Sequence, residues 1–448
     1  MIMFIDRDRE IEKLLEIAKS GKSELVLVYG RRRVGKSRLL TEFSKKVNSL
    51  YLISDLSENI LDIFAKQIGE EFVRFNDWDD FFEYISKCKY DVIIIDEFQY
   101  LYDINKAWPS ILQRWWEKLK HANKKIILSG SLISTIYKIA MGHGSALYGR
   151  KTYEMNVKPL KFRDIHGFFP GYNAEEIVEA YSILGGVPRY LEEFDSEKKI
   201  KENIEERILD KNSFLYNEPF NLLFEEFRDP APYITILSEI AAGYTRFADI
   251  SSKSLIAGTK LPKYLLVLER AGLIRKSIPV TEKRQKSKTT RYKVADMFYN
   301  FWFNFVFTNK SSLEQGKVSW ISSLISRDLN SYVGRCFEEI CIQFVADSGI
   351  KYTRIGSWWH KDKEINIVAI DDNSKSILFG ECKWKNNVDA GSVLKDLKEK
   401  ATHVEWNAGM RKENYIIFAK SFSNLVNEGN VMCIELKDII KSFAKPDN

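Results

Sequence analysis

The sequence predicts an α/β chain organised around a parallel sheet, and three observations carry that prediction. Glu24–Gly30 (ELVLVYG), Val92–Glu97 (VIIIDE) and Ile126–Leu128 (IIL) are short, continuously apolar runs ending at a glycine, a pair of acids and a Ser-Gly-Ser turn. Strands covered on both faces read this way, as unbroken aliphatic runs rather than strict alternation. After the first run a helical pattern begins, with Leu39, Leu40 and Phe43 on one face. Beyond residue 330 the order helix, strand, strand, strand, helix, strand predicts a second α/β unit.

The bulk numbers fit this class. The chain has 448 residues, 45% hydrophobic and 29% charged, enough for roughly three domains at ~150 residues each. No run approaches the ~20 apolar residues of a bilayer span. The richest, Phe298–Phe307, is broken by Asn300 and Asn304. The opening MIMFIDRDRE is charged too early for a secretion signal. Five scattered cysteines form no CxxC pair and five histidines form no ligand cluster, so reduced thiols, a cytoplasmic location and no membrane partner are expected.

Charge is uneven. The net charge is +6, yet residues 245–300 alone hold thirteen Lys or Arg against Asp249, Glu269, Glu282 and Asp296. Such a block suggests a polyanionic partner; a solvated surface is the plain alternative.

The first strand leads into Gly30-Arg31-Arg32-Arg33-Val34-Gly35-Lys36-Ser37, followed by Arg38, which fits G-x4-GK[ST] at every fixed position. Glycines let backbone N–H groups wrap phosphates at a helix N-terminus, where the dipole favours anions. Lys36 is expected on the β- and γ-phosphates of ATP and Ser37 on Mg²⁺. At the end of the second strand Asp96 is expected to hold Mg²⁺ opposite Ser37, and Glu97 to polarise the attacking water as a general base. Ser131, in the turn after the third strand, is a candidate γ-phosphate sensor.

Phe4-Ile5-Asp6-Arg7-Asp8-Arg9-Glu10-Ile11 resembles the F-x-G-R-E-x-E-L opening of archaeal-type ATPases of the STAND class, relatives of AAA+ proteins. YGRRRVGKS, IIIDEFQYL, ILSGS, Leu147-Tyr148-Gly149-Arg150 and Gly185-Gly186-Val187-Pro188-Arg189-Tyr190-Leu191 follow in that family's order. The resemblance implies Arg7 near the adenine, the element containing Pro188 closing a helical lid over the nucleotide, and Arg150 as a γ-phosphate partner. Asp6 stands where the family has glycine.

Helices are expected at Tyr233–Ala242, Arg246–Lys253 and Lys260–Ala271, then strands at Arg275–Val280 and Thr290–Val294 flanking a basic loop. That order is a winged helix-turn-helix, whose third helix enters the DNA major groove and whose wing meets phosphates. Lys260, Lys263, Lys283, Arg284, Lys286 and Lys288 are the candidate DNA contacts; internal packing is the competing use. The aromatic run 296–303 reads as core. Thr308–Lys317 reads as a linker.

The C-terminal part resembles the restriction-endonuclease-like fold, specifically the domain of unknown function that commonly follows archaeal-type ATPases. Its chemistry uses an acid on the second strand and E-x-K on the third, with carboxylates on Mg²⁺. Here Glu381 and Lys383 supply the latter and Glu338 on the preceding helix is a further candidate. Glu364-Ile365-Asn366 stands where the family shows E-I-D, so Asn366 replaces the expected aspartate, with Glu364 two residues away as a substitute ligand. A neutral amide is the weaker ligand for a hard dication.

The reading is a P-loop NTPase core (1–165), a helical lid (166–225), a winged helix (226–310) and a restriction-endonuclease-like domain (318–448). The expected function is an ATP-binding and hydrolysing switch that contacts DNA, carries a degenerate nuclease-like domain and forms nucleotide-dependent homo-oligomers. The alternatives are an active ATP-regulated, metal-dependent DNA nuclease and an ATP-dependent signalling scaffold without nucleic acid.

Overall fold

The computed structural model describes residues 5, 7–142, 144–282 and 289–443. The chain divides into two compact units: Met1–Pro159 with Val187–Arg189 and Phe224–Arg228, and Leu160–Gly186, Tyr190–Leu223 and Asp229–Asn448.

The first unit is built on a five-stranded sheet, β1 (Glu24–Tyr29), β2 (Ser49–Ile53), β3 (Val92–Asp96), β4 (Lys125–Gly130) and β5 (Tyr153–Asn156), in the order β2-β3-β4-β1-β5. Every pairing is parallel. Alternation along each strand splits the aliphatic residues between two faces. Leu25, Leu27, Ile93, Ile95, Ile126 and Leu128 pack under an aromatic layer that includes Phe64, Phe81, Phe82 and Trp108. Val26, Val28, Val92, Ile94 and Ile127 meet Ile11, Leu14, Leu39, Leu40 and Phe43 on the opposite face. At roughly 1.5–3 kcal/mol for each large apolar side chain buried, these two layers fix the sheet rigidly. The loops at its carboxyl edge are thereby set in place.

In the second unit the helix Ala174–Leu184 starts with a capping box: Asn173 accepts from the Glu175 and Glu176 amides, and Glu176 accepts from the Asn173 amide. Further along come the helices Ala231–Ala241, Phe247–Ser254 and Leu261–Arg270, then an antiparallel hairpin of β6 (Ile274–Ser277) and β7 (Arg291–Val294). Ile236, Leu237, Ile250, Leu261, Leu265 and Leu268 form the buried seam of the three helices. The aromatic run is core: Phe298, Phe301 and Trp302 are fully buried, and the Trp302 indole donates to the Tyr216 carbonyl at 2.7 Å.

Two expectations are corrected here. The 308–317 stretch is not an extended linker but contains the helix Lys310–Glu314, and the next helix runs from Val318 to Asp347 rather than starting beyond residue 330. Leu313, Ile321 and Ile325, isolated among serines in the sequence, are all buried and hold these turns in place. The strand expected over Arg275–Val280 stops at Ser277, because Pro279 has no N–H to continue a ladder. The Val280 amide instead donates to the Ser357 carbonyl.

The C-terminal sheet contains β8 (Arg354–His360), β9 (Lys363–Asp371), β10 (Ser376–Lys383), β12 (Lys412–Ala419) and β14 (Val431–Glu435), ordered β14-β12-β10-β9-β8. β8, β9 and β10 pair antiparallel, and β10, β12 and β14 parallel. A short ladder of β11 (Val388–Asp389) and β13 (Phe422–Asn424) stands apart from it. The helix Ala390–Ala401 covers one face through Leu394 and Leu397, and Phe337 and Phe344 of Val318–Asp347 meet Trp384 and Phe418. Among the described residues no helix is long and apolar enough to cross a membrane.

Candidate functional site

The carboxyl edge of the first sheet gathers the groups expected to handle a nucleotide. β1 ends into the loop 30–35, and the helix Lys36–Ser44 begins directly after it. Gly35, capping that helix at φ 94°, takes a left-handed conformation that a side chain would strain. Val34 anchors the loop in the core. The Arg7 guanidinium fastens it from behind, donating to the Val34 carbonyl at 3.1 Å and the Lys158 carbonyl at 2.7 Å, and pairing with Glu10. These bonds staple the loop to the segment that ends at Lys158.

Lys36 is buried, and its ammonium donates to the carbonyls of Gly30 and Arg31, each at 3.0 Å. Burial drives its pKa down to about 8, against the upward pull of Glu97 and Asp96, with Arg32 adding to the fall. A desolvated cation satisfied by two backbone carbonyls is a receptor for an anion.

β3 delivers Asp96 to the same edge. Asp96 accepts from the Tyr51 hydroxyl at 2.8 Å and from the Glu97 amide at 3.0 Å. The same hydroxyl also interacts with the Ser37 and Thr41 side chains. Ser37 and Asp96, which sequence reading assigned to one metal, therefore converge on one phenol. Among the described residues no group of three or more His, Cys, Asp or Glu forms a metal cage. The pair suits Mg²⁺, which takes few protein ligands and completes its shell with phosphate oxygens and water.

Glu97 sits at φ 54°, a left-handed conformation costing of order 1 kcal/mol for a residue with a side chain. Gln99 and Ser131 (2.7 Å) both donate to its Oε2. Gln99 is fully buried, and its amide lies so close to Gly130 that a Cβ there would clash with it.

Of the remaining loop residues, Arg32 donates to the Tyr100 hydroxyl at 2.7 Å and pairs with Glu225 at 3.0 Å. Arg31 acts electrostatically on Glu226, Arg33 takes φ 70° within the loop, and Arg38 is exposed on the following helix. Pro188 lies in contact range of Gly35. Arg150 turns toward the Ala146 carbonyl and Glu117. Sequence reading missed Tyr51 and Gln99; the latter stands inside the quoted IIIDEFQYL element, two residues after Glu97, without an assigned role.

A second cluster lies in the other unit, where all five candidate nuclease residues come together. Asn366 donates to Glu338 at 2.8 Å and accepts from the Cys382 amide at 3.1 Å. Glu381 accepts from Lys383 at 2.9 Å and from Lys400 at 3.1 Å, and Glu364 pairs with Arg291 at 2.8 Å. Lys400 is a member that sequence reading missed. Burial pushes Glu338 up to about 7, with Lys293 and Arg275 lowering it and Glu364 and Glu381 raising it. Each of these carboxylates is engaged with a cation or an amide of the protein itself.

Lys260 and Lys263 are exposed at the start of the helix Leu261–Arg270. Lys283, Arg284, Lys286 and Lys288 lie outside the described residues.

Comparison with known proteins agrees with this geometry. Residues 4–194 match the model of an ATPase domain predominantly from Archaea, and residues 302–401 match a family described as archaeal and bacterial proteins of unknown function. An uncharacterized protein of Methanocaldococcus jannaschii is 32% identical over 453 residues, covering 97% of this chain and 100% of its own length. An uncharacterized ATP-binding protein of Pyrococcus abyssi is 25% identical over 235 residues, covering 44% of this chain and 72% of its own. In fold, the chain resembles a Walker-type ATPase of Pyrococcus abyssi with a TM-score of 0.53 and 22% identity, covering 67% of this chain and 96% of that one. With a phosphate-binding loop at the head of a parallel sheet, and a relative alike along its entire length, the chain belongs to the archaeal-type ATPases.

Proposed function

We propose that this protein is an ATP-binding and hydrolysing switch that contacts DNA through the three helices and hairpin of residues 226–310, a winged helix-turn-helix. Its C-terminal module is a restriction-endonuclease-like domain that no longer cuts. The observation that carries the ATP reading is the buried Lys36 ammonium, which donates to two loop carbonyls next to the acids Asp96 and Glu97.

The roles follow from placement. The loop amides and Lys36 bind the triphosphate. Ser37 and Asp96 would hold Mg²⁺, which when bound neutralises charge on the phosphates. Glu97, pinned through Oε2, accepts a proton from water at Oε1, and Ser131 and Gln99 keep that carboxylate aimed. Nucleotide binding and phosphate release, measured on wild type, Lys36→Ala and Glu97→Gln, test this reading.

The DNA reading is supported by the exposed Lys260 and Lys263 and by the basic excess of residues 245–300. The competing reading, a metal-dependent nuclease, is favoured by the convergence of Glu338, Glu364, Asn366, Glu381 and Lys383. Against it, the amide of Asn366 stands at the ligand position and Glu381 is engaged by two lysines. Incubating the purified protein with plasmid, ATP and Mg²⁺ or Mn²⁺ separates binding from cleavage.

A further inference from the structure

The basic hairpin is turned inward within its own unit. In the β6–β7 register Arg275 is opposite Lys293 and Ser277 opposite Arg291, so Arg275, Lys293 and Arg291 share one face. Three like charges on one hairpin face repel unless acids meet them, and acids do. Arg291 pairs with Glu364 of β9 at 2.8 Å while its guanidinium lies over the Trp359 ring, 4.5 Å from the centroid. Arg275 pairs with Glu339 of the helix Val318–Asp347. The charge of Lys293 acts on Glu338.

The hairpin is also anchored beside these acids by contacts that carry no charge. Val280 is buried in the core of the C-terminal sheet and its amide donates to the Ser357 carbonyl of β8, the edge strand, at 3.0 Å. The Trp359 indole donates to the Thr289 carbonyl at 3.0 Å.

A guanidinium binds carboxylate and phosphate through the same planar fork. We infer that Glu339 and Glu364 occupy Arg275 and Arg291 in place of nucleic-acid phosphates. The C-terminal module thereby acts as an intramolecular acidic competitor that weakens backbone binding by the hairpin. The inference rests on the DNA-contact reading above. The Val280 anchor keeps both carboxylates at high effective concentration, and each pair is partly exposed, Arg275 and Glu339 at 48% and 24% and Arg291 and Glu364 at 17% and 40%, with the Arg275 pair the more open to exchange.

The test compares the full chain with a Glu339→Gln, Glu364→Gln double variant and with a Glu197→Gln, Glu405→Gln control that changes net charge equally at exposed positions other than the two acids paired with Arg275 and Arg291. The probe is a fluorescein-labelled random-sequence DNA duplex, titrated by anisotropy over a range of NaCl. The double variant should bind several-fold more tightly than the control. Its log–log salt slope should be steeper by about 0.9 for each arginine released. If double variant and control bind with equal affinity and slope, the competitor is refuted and the DNA reading stands. If none of the three proteins binds the duplex, the DNA reading fails and the competitor with it.

Discussion

The Tyr51 hydroxyl donates to Asp96 Oδ2 at 2.8 Å and interacts with Ser37 as well, which joins the two residues assigned to Mg²⁺ through one side chain. Burial, followed by the charge of Asp96, raises the phenol pKa well above its usual value, so Tyr51 remains a donor throughout the neutral range. Tyr51→Phe removes the donor and keeps the ring. Nucleotide affinity without metal should be unchanged, while the Mg²⁺ concentration for half-maximal ATP turnover should rise several-fold. Identical Mg²⁺ titrations for the two proteins would refute the positioning role.

Lys36 and Glu97 separate binding from chemistry. Lys36 meets phosphate in the ground state, so Lys36→Ala should abolish ATP binding in equilibrium dialysis. Glu97 acts on the water, so Glu97→Gln should retain ATP and lose turnover by a factor of about 10²–10⁴. Wild-type turnover in Glu97→Gln would exclude it as the base.

How legible these residues were depended on how local their signals are. The strands at 24–29 and 92–96 and the loop between Gly30 and Ser37 announce themselves within a few residues each. Tyr51 does not: it stands 45 positions before Asp96, in a run, SLYLI, whose strand character is settled by pairing with β3. Arg291 and Glu364 are 73 apart. Neither partner carries a mark in the sequence that it meets the other. Thr308–Lys317 reads as a linker because Leu313 is its single apolar residue, and only the burial of that residue makes it count. Asn366 is the converse case: a single local departure from the family's E-I-D pattern marks the residue whose amide bridges Glu338 and the β10 backbone.

Titration of Lys36 should appear in the pH dependence of nucleotide affinity. Its pKa in the free protein lies at about 8, below the ordinary 10.5, and the cation is the phosphate-binding form. ATP affinity should be flat below about pH 8 and weaken toward tenfold per unit above it, until the raised pKa of the bound state is reached. Folding of the free protein moves the opposite way. The unfolded chain binds this proton more tightly, so the Lys36 contribution makes the apoprotein more stable as pH rises from about 8 to 10.5. Affinity independent of pH between 7 and 10 would show that Lys36 does not titrate as its burial requires.

Asn366 divides the switch from the nuclease. Its amide donates to Glu338 at 2.8 Å, and its carbonyl oxygen accepts from the Cys382 amide. Both ends of the side chain are therefore used inside the protein. Asn366→Asp nearly conserves volume but swaps a donor for a second carboxylate beside Glu338, a group that burial already pushes up to about 7. Without metal, the like charges should raise Glu338 further and destabilise the C-terminal module by about 1–3 kcal/mol near neutral pH, the cost of losing a buried hydrogen-bond partner. The loss should shrink as pH falls through about 7, where Glu338 takes up a proton and the like charges disappear. With Mn²⁺ or Mg²⁺ the new carboxylate joins Glu338 and Glu381 as a hard-oxygen set, and melting temperature should climb with metal concentration. In wild type it should not respond beyond the nucleotide site, so Lys36→Ala is the background for both proteins. On plasmid, wild type should leave the substrate intact with either metal, and Glu381→Ala should change nothing. Robust wild-type cleavage that disappears in each of Glu364→Gln, Glu381→Ala and Lys383→Ala, with ATP turnover retained, would establish that Glu364 has taken over the ligand role and that the module is an active nuclease.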